Sequence, residues 1–140
     1  MAGEITAVID RWKAGERHSA KITLTCTGDA SDGSFPATNI NTLVKALGYD
    51  IRGMKIAEVK AAPGATAPTD ATDVVITDEN GIDILGARGT NLIDSESKTY
   101  IVPGPASQHQ PVLITGDLTI AITDNSVHSA VTTIVLNLID

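Results

Sequence analysis

Cysteine occurs once in 140 residues, as Cys26, so no disulfide can close within the chain, and a length of this order buries a core without such staples. Aromatic side chains are almost as scarce, with one Trp, two Tyr and one Phe. That removes the stacked rings on which sugar and single-stranded nucleic acid sites usually depend. Basic residues number 10 against 17 acidic ones, a formal charge of -7. The basic residues are scattered, so neither nucleic acid nor an anionic membrane is an expected partner, since both are held by clustered Lys and Arg. No segment approaches the roughly 20 continuous apolar residues of a membrane-spanning helix. The opening "MAGEITAVIDRWKAG" lacks the basic stretch, apolar run and small-residue cleavage site of a secretory signal, so synthesis in the cytoplasm is expected.

What the chain has in abundance is alternation of β-branched residues, the pattern of strands half buried on a pleated surface. "AKITLTCTG" sets Ile22, Leu24 and Cys26 on one face and Thr23, Thr25 and Thr27 on the other. In "GMKIAEVKA" the pattern is less regular, with Met54 and Ile56 as its core residues. The clearest alternation is at the C-terminus. "DLTIAITD" directs Leu118, Ile120 and Ile122 inward, and "VTTIVLNLI" does the same with Thr132, Ile134, Leu136 and Leu138. With "DNSVHSA" between them these two strands are expected to pair as a hairpin, leaving Thr119, Thr123, Thr133 and Val135 outward as a candidate interface. Loops are expected at "CTGDASDGSFPATN", "AAPGATAPTDAT" and the proline-rich "VPGPASQHQPV". "NINTLVKALGYD" fits either a strand or a short helix capped by Asn39 or Asn41 and ended by Gly48. These signals indicate an all-β fold: a single domain over residues 1–140, a β-sandwich or small jelly roll of six to eight strands with at most one short helix, and residues 1–20 as an N-terminal arm.

The densest concentration of chemistry is "TDENGID", residues 77–83. A calcium loop beginning at Asp78 would need oxygen ligands at its first, third and fifth positions, glycine at the sixth and glutamate at the twelfth. Asn80 satisfies the third, but Ile82, Asp83 and Gly89 occupy the others. A hairpin turn built on Asp78, Asn80, Gly81 and Asp83 accounts for every residue, with Asn80-Gly81 as a two-residue connection and Ile82 and Ile84 on a return strand. No metal is expected there.

Other constellations are equally incomplete. His18, His109 and His128 lie far apart in turn-like contexts without a second ligand at metal spacing. Ser19 and Ser129 adjoin histidines, yet no nucleophile elbow is present. Cys26 lies on an apolar strand face, which suits a buried hydrophobe better than a nucleophile. Carboxylate pairs such as Asp78 with Asp83, or Asp94 with Glu96, are what turns in an acidic domain contain by default. The expectation is therefore a non-enzymatic protein without a cofactor.

Taken in order, "IRGMKI", "PGATAPTDATDVVITDENGIDILGARGTNL", "LTIAIT" and "NSVHSAVTTIVLNL" resemble a family of small virion structural proteins of tailed bacteriophages. The resemblance covers residues 51–138. It departs from the family pattern at Thr72 and Asn137, where relatives carry an aromatic residue. What it implies is a part of the virion, assembled in the host, whose partners are other copies of itself and phage capsid or tail proteins. Scarce aromatic surface favours a capsid decoration or cement protein over a neck or tail component or an adhesin-like module at a fibre tip.

Overall fold

The computed structural model describes residues 2–105 and 107–140, with nothing stated for the side chain of Ala14. Nine strands and one helix follow in order: β1 (Glu4–Ala14), β2 (Arg17–Thr27), β3 (Thr38–Asn39), α1 (Ile40–Ala46), β4 (Lys55–Pro63), β5 (Asp73–Thr77), β6 (Thr99–Ile101), β7 (Val112–Leu113), β8 (Thr119–Thr123) and β9 (Val131–Ile139). They form two sheets. The larger runs β1-β2-β9-β4-β6, with β7 pairing the start of β4, and the smaller runs β3-β8-β5. Every named pairing is antiparallel.

A single core joins the sheets. Ile22 and Leu24 of β2, Ile56 and Val59 of β4, and Ile134 and Leu136 of β9 meet Val74 and Ile76 of β5 and Ile120 and Ile122 of β8. This is the two-layer all-β domain that alternation implies. Cys26 lies in the same cluster at 0% exposure, and burial pushes its thiol up to about 12, so the thiolate is out of reach near neutrality. The irregular pattern of "KIAEVKA" has a cause, because the register of β4 against β9 shifts between Ile56 and Glu58, a bulge that re-aims the residues after it.

The ambiguous segment after β3 is helical. Asn39 is its N-cap, its side chain accepting from Thr42 N at 3.1 Å, and Gly48 follows with φ 91°. Asn41 is buried instead. Its Oδ1 accepts from Leu118 N at 2.9 Å while its Nδ2 donates to Gly116 O at 3.1 Å, tying the helix to the approach to β8.

Several expectations are corrected. β8 and β9 do not pair with each other: β8 lies between β3 and β5, and β9 lies between β2 and β4. Residues 124–130 carry the chain from one layer to the other. Asp124 and Ser129 adopt positive φ of 70° and 56°. Asn125 accepts from Thr69 N at 2.9 Å and donates to Gly33 O at 2.7 Å, so the connection is tied to two other loops instead of folding back on itself. The N-terminal segment is not an arm either, because residues 4–14 pair with β2 along their whole length. Two very short strands, β3 and β7, bring the number among the described residues to nine.

Candidate interaction surface

The acidic turn after β5 is scaffolding. Asp78 Oδ1 accepts from the backbone of Asn80 at 2.9 Å and Ile82 at 3.0 Å. Asp83 accepts from Leu85 N at 3.0 Å and Ala87 N at 2.9 Å. Glu79 Oε1 accepts from Thr115 Oγ1 at 2.6 Å. The loop is one residue longer than a two-residue hairpin: Gly81 N donates to Asp78 O, Asp78 N to Ile82 O, and Gly81 alone has positive φ, 78°. That is a type I turn closed by a left-handed glycine, and Asn80 does not take the mirror-image form. The expected return strand shrinks to one bridge, Thr77 with Asp83, before the chain enters a series of turns through residue 91.

Arg88 organises the neighbouring proline-rich loop by donating to the carbonyls of Gly104 at 3.1 Å and of Pro105 and Gln108 at 2.7 Å each. Thr72, one of the two departures from the family pattern, is fully buried, and its hydroxyl donates to Thr69 O at 2.5 Å. Asn137, the other, donates to Glu58 Oε1 at 2.8 Å on the outer face of the large sheet.

That outer face is where chemistry is left over. Register places residues of successive strands side by side in rows. One row reads Val8, Thr23, Val135, Lys60, Tyr100. The next reads Thr6, Thr25, Thr133, Ala62. A third, Asp10, Lys21, Asn137, Glu58, is tied together by Lys21–Asp10 at 3.9 Å and the Asn137–Glu58 bond, and its Glu58 pairs with Lys60 of the first row at 3.2 Å. Val8 is 62% exposed and Tyr100 69%. Lys60, Lys98, Tyr100, Thr133 and Val135 border a shallow groove of about 450 Å³ at one end of the face.

The four candidate interface residues therefore split. Thr133 and Val135 lie on this face, whereas Thr119 and Thr123 belong to β8 in the other sheet, so they do not form one surface. Their outward orientation follows from alternation, but their grouping depended on a hairpin that does not form. Sequence reading missed Val8, Lys60 and Tyr100. The first was legible, since "EITAVID" alternates Ile5, Ala7 and Ile9 against Thr6, Val8 and Asp10.

A second cluster occupies the tip of the β1–β2 hairpin. Arg11, Trp12, Lys13, His18 and Tyr49 border a depression of about 400 Å³, with the Arg11 guanidinium 5.3 Å from the centre of the Tyr49 ring. Among the described residues no group of three or more His, Cys, Asp or Glu is placed to hold a metal ion. Among the described residues no helix is long and apolar enough to cross a membrane. Scans of family models, curated proteins and solved structures each find no significant match to the chain.

Proposed function

We propose that the protein is a structural component of a bacteriophage virion, a decoration or cement protein that binds the head through the outer face of its large sheet. The observation that carries this reading is the pair of rows centred on Thr133 and Val135, in which Lys60 is the one charged residue. Threonine, valine and alanine on a pleated surface present little charge to desolvate, and the charges beside them are paired, Lys60 with Glu58 at 3.2 Å and Lys21 with Asp10 at 3.9 Å. A surface of this kind suits burial against a repeated neighbour better than selection of a small ligand. The sequence resemblance to phage virion proteins points the same way. On this reading the partners are capsid subunits and further copies of the chain, and the protein acts without a cofactor.

A second reading, an adhesin-like module at a fibre tip, is favoured by the Trp12 and Tyr49 rings beside Arg11 and Lys13 at the hairpin tip, since exposed aromatics with cations are common anchors in recognition. Sedimentation separates the two. Purified protein mixed with expanded capsid shells should pellet with the shells and not with host cells; pelleting with cells alone would replace the first reading with the second.

A further inference from the structure

We propose that β1 is a pairing edge that accepts β1 of a second copy of this chain, joining two large sheets into one. β1 is the outermost strand of the large sheet and spans 11 residues, paired to β2 from Glu4 to Ala14 with no register shift. It contains no proline. Edge strands of monomers are usually short, bulged, or interrupted by proline or an inward charge, because a long regular edge recruits another strand. Neither proline nor a bulge interrupts this edge; α1 packs against β1, and the charges of β1, Glu4, Asp10, Arg11 and Lys13, are of both signs.

Backbone polarity along β1 can be worked out. Ala14 opposite Arg17 closes a two-residue turn whose first residue, Gly15, has φ 64°, and such turns are closed by a hydrogen-bonded pair. Even-numbered residues of β1 therefore turn their N–H and C=O groups to β2. The far side of β2 agrees, since His18 O accepts from Asp140 N at 3.0 Å and so points away from its partner Lys13. Ile5, Ala7, Ile9, Arg11 and Lys13 thus direct theirs to the open edge, and among the described residues no backbone hydrogen bond outside the β1–β2 ladder engages them.

Charge selects the occupant. Glu4 and Asp10 balance Arg11 and Lys13, so β1 as a whole does not repel its copy. In a two-fold antiparallel pair, registers centred on Ala7, Asp10, Arg11, Trp12 or Lys13 each oppose like charges, and one centred on Thr6 pairs only the start of the strand. The long registers that avoid this are centred on Val8 and Ile9. Both place Ala7, Val8 and Ile9 at the middle, and both cover Val8, which is 62% exposed in the isolated chain. The inference stands on the isolated protein and does not depend on the virion reading.

The test is residue-resolved amide exchange and sedimentation of the purified chain over a concentration series. Wild type should dimerise, and exchange at Ile5, Ala7, Ile9 and Arg11 should slow by at least about tenfold as dimer forms, each tenfold being about 1.4 kcal/mol, while Thr6, Val8 and Asp10 stay unchanged. Ala7→Pro removes an edge-facing donor without touching the β1–β2 ladder and should weaken the dimer about tenfold or more with unchanged circular dichroism. A chain that remains monomeric to about 1 mM, or a dimer without the alternating protection, overturns the proposal. So does a folded Ala7→Pro that dimerises as wild type does. If that variant fails to fold, the exchange pattern of the wild type decides. Failure to bind capsids alongside normal dimerisation would count against the virion reading alone.

Discussion

The large sheet and the loops between β4 and β8 use polar residues in opposite ways. In residues 64–118 five of the eight carboxylates accept hydrogen bonds from the backbone: Asp70 from Ser95 N, Asp73 from Asn91 N, Asp78 and Asp83 in successive turns, and Asp94 from Glu96 N and Ser97 N. On the large sheet the geometry is already secured by ladders, so outward side chains are free for other uses. The charges follow the same division. The strands of that sheet carry Arg11, Lys13, Arg17, Lys21, Lys55 and Lys60 against only Glu4, Asp10 and Glu58, although the chain's net charge is -7. Acidity therefore reflects turn-making in the loops, and the sheet that faces outward is mildly basic.

If the loops are scaffold, damage to them should appear as lost stability. The largest effect is expected at Gly89, where an added Cβ would collide with the backbone carbonyl oxygen of Val74 in β5. Gly89→Ala should cost roughly 3 kcal/mol or more, the upper range for forced overpacking, and show as a large drop in melting temperature. A melting curve matching wild type would mean that the Gly89 approach to β5 is wrong.

Gly81 should give a smaller effect of a different origin. Its Cβ position is open, so the cost of Gly81→Val is conformational, about 1–2 kcal/mol for a left-handed residue. Glu79→Ala loses one exposed bond to Thr115 and should cost no more than about 1 kcal/mol. Equal melting temperatures for the two variants would remove the turn's role.

The smallest effect concerns acid. Hydrogen bonds from the Arg52 side chain and backbone hold the Asp50 carboxyl down to about 2, from an ordinary 3.8. Because the folded value is depressed, the contribution is complete above pH 3.8 and is lost as pH falls through about 2. Asp124 acts oppositely: its neighbour Asp73 raises it, so its contribution exists at low pH and fades as pH rises. Asp50→Asn should slightly flatten the acid side of the stability profile and leave neutral pH nearly unchanged, as acid titration monitored by circular dichroism would show.

The same comparison explains what the sequence disclosed. Two-residue periodicity is local, so the inward sets of β2, β8 and β9 were legible, as were Asn39 as one of two candidate caps and a turn at Gly81. Pairing is not local. Whether β8 meets β9 depends on residues 124–130, where Asn125 bonds to Gly33 and Thr69, far away in sequence. β1 escaped notice because Arg11, Trp12 and Lys13 interrupt its alternation, although Gly15-Glu16 between two alternating stretches marks a hairpin. For the candidate interaction surface, Thr133 and Val135 were legible as outward residues, but their neighbours Val8, Lys60 and Tyr100 come from strands that only register brings alongside.

The central claim is that β9 separates a core from a contact face, and adjacent lysine substitutions test it most directly. Leu136 is fully buried and Val135 lies between Thr23 and Lys60 on the outer face. Leu136→Lys should unfold the domain, since an unpaired charge cannot remain in the core. Val135→Lys should cost only about 0.2–1 kcal/mol from its position opposite Lys60, and the variant should stay folded by circular dichroism yet bind expanded capsid shells at least about tenfold more weakly. Unfolding of Val135→Lys, or folded protein that binds shells as tightly as wild type, would contradict the account.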